Sequence, residues 1–449
     1  MLYSLFGFIK SLKDEKMRLI SIVFFFYMSA FFASSVSAQD LESYNVKATV
    51  ELHEKVSDLN QAKKIVVFFD GTGDNMQQRS NVIKLFEISA NQKIDNADFY
   101  YHKGVGTGEK FIGAATGLGM GHIVKNAYAF LSQRYEKGTK LYVFGFSRGA
   151  FTSRVFTNFI DTVGLYNLKG IDTKKAFKLI DSLYANAYKG KDKTKDQIKT
   201  LANKIVQKYK ADTGIKKDIS SFGSVEIEIL GLWDTVAALG LKVENKKQNI
   251  INYYDTYFDQ ICNTKHVLQA LSLDDNRANI FTPVIISADY FKSKCQNKED
   301  IDIKSVVNEV WFSGAHSDVG GGYETKTSLS GVALNWMISE IKKIESDFLP
   351  KSAEVFQNEY GYSHKASDHW YDVIAFGKTT RGKIIEKYVD LSVYKKLRVH
   401  QSVIDKIQNP DLWDGYSSKW YESDKFKECF KKADKGYTFM TCELIEVVK

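Results

Sequence analysis

The sequence predicts an α/β fold in which a mostly parallel sheet carries helices on both faces, and three observations predict it. First, short apolar runs such as Lys63 to Phe69 and Leu141 to Phe144 are typical of strands buried in a parallel sheet. Second, helical patterns follow these runs along the chain. Third, 44% of the 449 residues are hydrophobic, which is ample for a large core. We expect one large domain with insertions, although the length alone also allows two domains.

Residues 1–38 have the organisation of a signal peptide. Lys16 and Arg18 precede a largely apolar run from Leu19 to Ala33, and small residues ending at Ala38 form a cleavage site. We therefore expect the protein to be exported to the periplasm or secreted, with this segment removed. The alternative is an uncleaved N-terminal membrane anchor, because a second apolar piece, Leu2 to Ile9, lies upstream.

The formal net charge of +8 lies in Lys-rich helical stretches such as Lys169 to Lys217. These lysines do not stand beside aromatic residues in a recognisable nucleic-acid motif, so we expect a solvated face and no nucleic-acid partner. The alternative is a binding patch, for which anionic phospholipid suits the charge as well as nucleic acid does.

The 4 cysteines fit an exported protein, but they lack the spacing of metal ligands and allow several pairings. Cys429 and Cys442 are the closest pair in sequence. A Cys429–Cys442 bridge is therefore our hypothesis.

The strand predicted at Lys63 to Phe69 ends in a turn rich in backbone amides, Asp70 to Asn75. A loop after an early strand can supply one of the two amides that stabilise the oxyanion in serine-based acyl transfer. We assign this role to the amide of Gly71 or Thr72, with Asp70 in a supporting position. The alternative is a plain β-turn with an aspartate cap.

A helix through Ala90, a strand from Asp98 to His102 and a helix from His122 to Tyr135 come next. The glycines between Gly104 and Gly121 predict a mobile loop beside the site. They do not fit a dinucleotide fingerprint, because no helix starts at the right place and no acidic residue follows in the required context.

A strand from Leu141 to Phe144 leads to the pattern G-x-S-x-G, in which Ser147 stands between Gly145 and Gly149. This pattern is the signature of a nucleophile elbow, where a sharp strand-to-helix turn lifts out a serine hydroxyl and two glycines leave room for the backbone. The helix that follows, Arg148 to Val163, directs its N-terminal amides toward the reacting centre. Ser147 is therefore the candidate nucleophile, and the Arg148 amide is the candidate second oxyanion donor.

The composition shifts toward Lys, Asp, Ala and Thr between Lys169 and Ser221, which predicts an inserted helical cap. A strand from Val225 to Leu230 then leads to Asp234. An acid just past a strand end lies on the same carboxyl edge of a parallel sheet as the serine. Asp234 is therefore the candidate acid that orients a histidine, and the alternative is a helix N-cap.

Further patterns predict a helix from Lys265 to Leu273 and strands from Pro283 to Ala288 and from Val306 to Phe312. His316 follows the last strand on a flexible, glycine-rich turn, where a general base can reach the serine. Of the 8 histidines, it alone follows a strand into glycines with the serine already behind it. Asp318 is a rival acid, but its position suits a loop former or a supporting partner of His316 better.

The chain order Ser147, Asp234, His316 is the Ser, Asp, His order of α/β hydrolases, so the sequence predicts an α/β-hydrolase-like fold with this triad. No metal and no cofactor are expected. We divide the chain after the signal into a catalytic domain, residues 39–345, with a helical insertion at 169–221, and a C-terminal extension, residues 346–449. The extension is rich in aromatic residues and is expected to pack on the core or, alternatively, to form a lid that faces lipid.

The motifs of this chain, in their order, resemble the catalytic domain of the type VI secretion phospholipase effectors of the first lipase class and their uncharacterised bacterial relatives. The similarity spans roughly Lys63 to Lys343 and is carried by FDGTGDN, GVGTG, GFSRGA, GLWDTVAALG, ALSLDDNRA and WFSGAHSDVGGGY. The resemblance implies an α/β-hydrolase fold and the triad named above. It also implies an early turn at Asp70, Gly71 and Thr72, an elbow residue at Arg148, and a structural role for Asp275 and Arg277.

The resemblance further implies a phospholipid or another carboxylic ester as the substrate, action at a membrane surface and an immunity-like partner protein. Effectors delivered by a secretion needle usually lack a cleavable signal, so the signal of this chain favours a periplasmic, surface or secreted lipase. Two other functions stay open from the sequence. One is a catalytically silent membrane- or ligand-binding protein, and the other is a serine hydrolase of glycans, peptides or small esters.

Overall fold

Eight strands form one sheet at the centre of the described part of this computed structural model. The described residues are 63–71, 79–91, 96–104, 118–188, 193–236, 261–277, 281–289, 291, 295, 301–366 and 381–449. They all lie within one compact unit, Val56–Lys449. The predicted signal peptide, residues 1–38, lies outside the described residues and stays a prediction.

The strands of the described residues belong to the main sheet or to two short antiparallel ribbons. In chain order they are β1 (Lys64–Phe69), β2 (Ala97–His102), β3 (Lys140–Phe146), β4 (Leu165–Tyr166), β5 (Ser221–Gly223), β6 (Ile227–Trp233), β7 (Thr264–Ser272), β8 (Val307–Phe312), β9 (Leu397–His400), β10 (Phe430–Lys432), β11 (Tyr437–Phe439) and β12 (Ile445–Val448).

The main sheet has the order β12-β9-β8-β7-β6-β3-β1-β2, and each of these neighbouring pairs is parallel. The ribbons are β4 with β5 and β10 with β11. Parallel strands place their carboxyl ends at one common edge, and crossover helices then cover the faces. The predicted α/β-hydrolase-like class, with its mostly parallel sheet, is confirmed.

The helices of the described residues connect and cover these strands. In chain order they are α1 (Asn81–Asn91), α2 (Leu118–Arg134), α3 (Arg148–Val163), α4 (Thr173–Tyr188), α5 (Lys195–Thr213), α6 (Ile303–Val306), α7 (His316–Gly320), α8 (Ser328–Ile344), α9 (Arg381–Leu391) and α10 (Gln401–Gln408). Short 3-10 helices lie at Pro410–Leu412, Trp420–Glu422 and Lys427–Cys429.

Two apolar cores lie on opposite faces of the sheet, because successive side chains of a strand point to opposite sides. Ile65, Val67 and Phe69 of β1 join the core beneath α2 and α3, whereas Val66 and Phe68 join the core beneath α1 and α8. The two helices of the insertion, α4 and α5, extend the first core and contact α2 and α3. Both faces of the sheet are therefore buried.

Two of the predicted elements are wrong. Residues predicted as a helix from Lys265 to Leu273 form strand β7, which lies between β6 and β8 and is buried along most of its length. The tertiary environment overrides the helix-forming leucines, glutamine and alanine of this run. The segment Pro283 to Ala288 does not form a regular strand and makes only isolated bridges at its ends.

The C-terminal extension adds two strands to the main sheet. β9 pairs with β8 through Val399 and Trp311, and β12 pairs with β9. A third apolar core contains Trp311 of the catalytic domain together with Tyr388 and Trp420 of the extension. The extension thus covers the far end of the sheet. Two of the aromatic residues in which the extension is rich, Trp370 and Tyr371, lie outside the described residues.

The structure joins Cys262 to Cys295 and Cys429 to Cys442 in disulfide bonds. The second bond is the hypothesised one, and the first was not predicted. Among the described segments, no helix combines the length and the apolarity that crossing a bilayer requires.

Candidate active site

The carboxyl ends of β3 and β6 bring the predicted nucleophile and acid together. In the parallel register Phe146 lies beside Trp233, so the next residues along the two strands, Ser147 and Asp234, leave the sheet side by side. The Ser147 amide donates to the Trp233 carbonyl at 3.0 Å. Residues 87 positions apart by sequence number therefore meet because of strand pairing alone.

Ser147 occupies a sharp turn between β3 and α3 with φ 58° and ψ −125°. The two flanking positions require glycine because a side chain there would clash with neighbouring atoms. A Cβ on Gly149 would lie 2.1 Å from the Phe69 carbonyl oxygen, and a Cβ on Gly145 would lie 2.4 Å from the Ser153 hydroxyl. The G-x-S-x-G pattern thus has the packing reason expected of an elbow.

Ser147, His316 and Asp234 are connected in this order by hydrogen bonds between their side chains. The distance from Ser147 Oγ to His316 Nε2 is 2.7 Å, and the distance from His316 Nδ1 to Asp234 Oδ2 is 2.6 Å. All three side chains are buried. This is the arrangement in which a neutral imidazole accepts the serine proton while a carboxylate fixes its other nitrogen.

Four donors surround the carboxylate of Asp234. Besides His316, the Ser272 amide donates to Oδ1 at 3.0 Å, and Arg381 donates to Oδ1 at 3.2 Å and to Oδ2 at 3.1 Å. Burial alone would raise the pKa of Asp234, but the charge of Arg381 and the bond from His316 bring this pKa below its ordinary value. Asp234 is therefore an ionised acid.

His316 begins the short helix α7 and does not lie on a flexible turn. Its backbone amide donates to Asp275 Oδ2 at 3.1 Å, and its ring packs between Phe146 and Phe281, with ring centroids at 4.7 and 5.3 Å. Arg277 forms a forked ion pair with Asp275, which lowers the pKa of Asp275 well below its ordinary range despite burial. The structural role implied for Asp275 and Arg277 is thus to hold the base.

Asp318, the rival acid, serves a different histidine. Its carboxylate accepts from the Ala315 amide at 2.9 Å, and from the amide and Nδ1 of His364 in the extension at 2.8 and 2.6 Å. Asp318 therefore closes the first turn of α7 and ties it to the extension, which is a supporting position.

Asp70, the first residue of the predicted oxyanion turn, is buried. It accepts from Ser80 Oγ at 2.7 Å, Tyr101 Oη at 2.6 Å and the Gly71 amide at 2.7 Å. Burial raises the pKa of Asp70, and these hydrogen bonds oppose the rise. The Gly71 amide, one of the two predicted early oxyanion donors, is therefore engaged by this carboxylate.

The other predicted donors are placed in part. Thr72 lies outside the described residues, so its position stays a prediction. Arg148 is the first residue of α3, where helix geometry gives an amide no carbonyl acceptor within the helix and directs it past the helix end. Its place beside Ser147 is the one expected of the late donor.

Sequence reasoning missed Arg381. This arginine begins α9, is fully buried and donates to the carboxylate that holds the histidine. It stands outside the motifs of the catalytic domain, and no local pattern links it to Asp234. A pairing of residues in two distant elements leaves no signal in one sequence.

Residues 63–340 match the sequence profile of a family described as type VI secretion system, phospholipase effector Tle1-like, catalytic domain. The matched region covers more than half of the chain and contains Ser147, Asp234 and His316. The family resemblance inferred from the motifs is confirmed.

Similar proteins include the uncharacterized protein YEL023C of Saccharomyces cerevisiae, which is 27% identical over 255 residues covering 50% of this chain and 33% of the yeast protein. A crystal structure of an uncharacterized protein from Pseudomonas aeruginosa shares 17% identity, covering 65% of this chain and 46% of that one, with a TM-score of 0.35. The Tle1 effector bound to the VgrG spike of the type 6 secretion system shares 18% identity, covering 61% and 56%, with a TM-score of 0.25. The chain thus spans about a third to a half of the length of these proteins.

Proposed function

The chain belongs to the family of type VI secretion system phospholipase effector Tle1-like catalytic domains, and we propose that it is a serine ester hydrolase. Membership of this family supports a hydrolase of the lipase and esterase type. The observation that carries the proposal is the series of side-chain hydrogen bonds from Ser147 through His316 to Asp234, with Ser147 in a strand-to-helix elbow.

In the proposed reaction, His316 Nε2 accepts the proton of Ser147 as Oγ attacks the carbonyl carbon of an ester. Asp234, which accepts from Nδ1, keeps the imidazole oriented and stabilises the charge that it gains. The tetrahedral intermediate then collapses, and the alcohol leaves with the proton from His316. A water molecule repeats these steps on the acyl-enzyme and releases the carboxylic acid.

The negative charge of the intermediate requires two amides that are already in place. We assign these to Thr72, after β1, and to Arg148, at the first position of α3. An amide at the start of a helix adds the positive end of the helix dipole to its own hydrogen bond. We also propose a supporting role for Asp70, whose carboxylate accepts from the Gly71 amide.

We propose phospholipid as the substrate class. The family description names a phospholipase effector, and the insertion presents exposed lysines that suit an anionic bilayer, among them Lys174, Lys175, Lys178, Lys204 and Lys208. The signal predicted at residues 1–38 and the two disulfides both fit a protein that works outside the cytoplasm.

The partners follow from the same family and are proposals as well. One similar protein is described as an effector bound to the VgrG spike of a secretion system. A spike protein of that kind, or an immunity-like protein that blocks the site, would be the partners of a toxin. A secreted lipase with a cleaved signal would need neither.

The test is hydrolysis of mixed phospholipid vesicles compared with hydrolysis of short p-nitrophenyl esters. We expect fatty acid release from the vesicles, and a fall of at least about a thousandfold in Ser147→Ala. Ser89→Ala is the matched control, because Ser89 is also buried but bonds only within α1, and we expect it to keep its activity.

Other outcomes separate the rival functions. Hydrolysis of the short esters alone would identify a non-lipid esterase and contradict the phospholipid assignment. Folded wild-type protein that binds vesicles and hydrolyses neither substrate would identify a silent binding protein and contradict the proposed function.

A further inference from the structure

Arg381 donates to both oxygens of Asp234, from a helix that begins beyond the family-matched residues. Each terminal nitrogen of its guanidinium also donates to a main-chain carbonyl, Nη1 to Ser272 at 3.0 Å and Nη2 to Phe281 at 2.9 Å. The side chain is 0% exposed. The orientation of the guanidinium is therefore fixed by two main-chain carbonyls, that of Ser272 at the end of β7 and that of Phe281.

We infer that Arg381 is a positioning residue that keeps the buried Asp234 ionised and oriented toward His316, so that the C-terminal extension completes the catalytic site. The inference rests on the proposed function, because it assigns Asp234 the role of orienting acid. It goes beyond that function in placing an essential group outside residues 63–340.

The first reason is the cost of a buried charge. Asp234 is 0% exposed, and an ionised carboxylate in such a place requires a countercharge and hydrogen bonds to all its lone pairs. A neutral histidine supplies one hydrogen bond and no charge. Arg381 supplies the charge and two more hydrogen bonds.

The second reason is geometry. A forked guanidinium fixes the plane of a carboxylate as well as its position, which a lysine ammonium does not. With Arg381 on both oxygens and the Ser272 amide on Oδ1, the second lone pair of Oδ2 faces His316 Nδ1. The imidazole is then held with Nε2 toward Ser147.

Of the two basic side chains that contact Asp234 in the described part of the chain, only Arg381 carries a charge while the imidazole of His316 is neutral. Asp275, which forms an ion pair with Arg277, interacts electrostatically with both Arg381 and His316. Since the Asp275–Arg277 pair is nearly neutral as a unit, Arg381 provides the net positive charge beside the acid.

The test compares Arg381→Gln and Arg381→Lys with the wild type by the pH dependence of fluorophosphonate labelling and of ester hydrolysis. The acid limb of such a profile reports protonation of the coupled Asp234–His316 pair. Removing a cation beside the pair favours the protonated form, so in Arg381→Gln we expect the limb to move up by about 1 to 3 pH units. We also expect kcat/KM at neutral pH to fall about 10- to 100-fold, as for other groups that orient a catalytic side chain.

Arg381→Lys separates charge from geometry. It keeps the cation and loses the fork, so we expect the acid limb to stay close to that of the wild type while kcat falls and KM does not change. This variant also keeps the inference testable if Arg381→Gln fails to fold.

Arg398→Gln is the matched control. Arg398 is a buried arginine of the extension that bonds to Glu446 and Asn308 and has no bond to Asp234. We expect it to lower the unfolding midpoint without moving the acid limb. The inference would be overturned if the acid limb of Arg381→Gln coincided with that of Arg398→Gln. It would also be overturned if Arg381→Lys and Arg381→Gln were both fully active. In either case the activity of the wild type would still support the proposed function. A wild type that does not react at all would remove both.

Discussion

Ser147 stands in a backbone conformation that residues other than glycine rarely adopt, with φ at 58°. Such a conformation costs about 1 to 3 kcal/mol and persists only where the surroundings impose it. The surroundings of Ser147 impose this conformation from both sides in the sequence. On one side β3 is held in the sheet, and on the other side Gly149 of α3 packs against the Phe69 carbonyl. The fold places the hydroxyl at the rim of the sheet at the expense of stability.

Glu309 of β8 is a buried acid outside the proposed machinery. It accepts from the Ile286 amide at 2.8 Å, Gln269 Nε2 at 2.7 Å and Tyr388 Oη at 3.1 Å. Burial raises its pKa from 4.5 to about 7, even though these hydrogen bonds lower it. Glu309 is therefore protonated in the folded protein under conditions in which it is ionised in the unfolded chain.

The sign of the resulting pH dependence follows from proton binding. Between about pH 4.5 and 7 the folded state binds the proton of Glu309 more tightly than the unfolded state does. The protonated Glu309 therefore contributes about 3 kcal/mol to the free energy of unfolding below this pH range, and this contribution is lost as the pH rises through the range. Glu309→Gln resembles the protonated acid and should remove this loss. We expect the variant to become more stable relative to the wild type as the pH rises from 5 to 7, in urea unfolding series at each pH.

Glu354→Gln is the control for that series, because Glu354 is exposed. Its stability relative to the wild type should not change with pH. A Glu309→Gln curve parallel to that of the wild type across the window would mean that Glu309 is ionised in the folded protein, contrary to our expectation.

At the scale of single residues, the sequence predicted the candidates that directly follow a strand. Ser147, Asp234 and His316 each come just after an apolar run, and the structure brings them within hydrogen-bonding distance. Arg381 could not be predicted, because its contact with Asp234 depends on how the extension docks. The early oxyanion donor was predicted as the amide of Gly71 or Thr72, and this assignment stays a prediction, although the Asp70 carboxylate accepts from the Gly71 amide.

At the scale of elements, the predictions were correct where a sequence pattern is compatible with only one kind of secondary structure. Helix α3 begins and ends at the predicted residues, Arg148 and Val163, because a nucleophile elbow requires a helix there. Strand β7 was predicted as a helix, since a short apolar run buried on both faces has no period that separates the two. Strands β9 and β12 were not predicted at all, because they are short and pair only with the edge of a sheet formed by distant residues.

The two disulfides close loops of different lengths, and these lengths predict which bond contributes more to stability. Cys429 and Cys442 are separated by 13 positions, and Cys262 and Cys295 by 33. The loop-entropy relation gives about 3 kcal/mol for the first and about 4 for the second. We expect Cys429→Ala/Cys442→Ala to lose less unfolding free energy than Cys262→Ala/Cys295→Ala, as measured by denaturant unfolding.

Thiol titration of the unreduced, denatured wild type checks the pairing itself. It should find no reactive thiol, and each double variant should likewise show none. Two reactive thiols per chain would contradict one of the bonds and four would contradict both, and four would also weaken the proposed export from the cytoplasm.

At the scale of the whole molecule, the candidate site residues and the described part of the extension belong to one compact unit. The described residues of the predicted extension lie in the same compact unit, Val56–Lys449, as those of the catalytic domain. Ser418 in the extension donates to Asp274, whose carboxylate also accepts from the Gly314 amide just before His316. The division of the chain at residue 345 stays a prediction.

The central claim is that Ser147 is a nucleophile activated by His316. The most direct measurement is reaction of the folded protein with a fluorophosphonate, followed by peptide mass spectrometry to locate the adduct. We expect a single adduct on Ser147 of the wild type and none on Ser147→Ala, since the reagent requires an activated hydroxyl. Folded wild-type protein without an adduct, or an adduct that persists in Ser147→Ala, would contradict the claim.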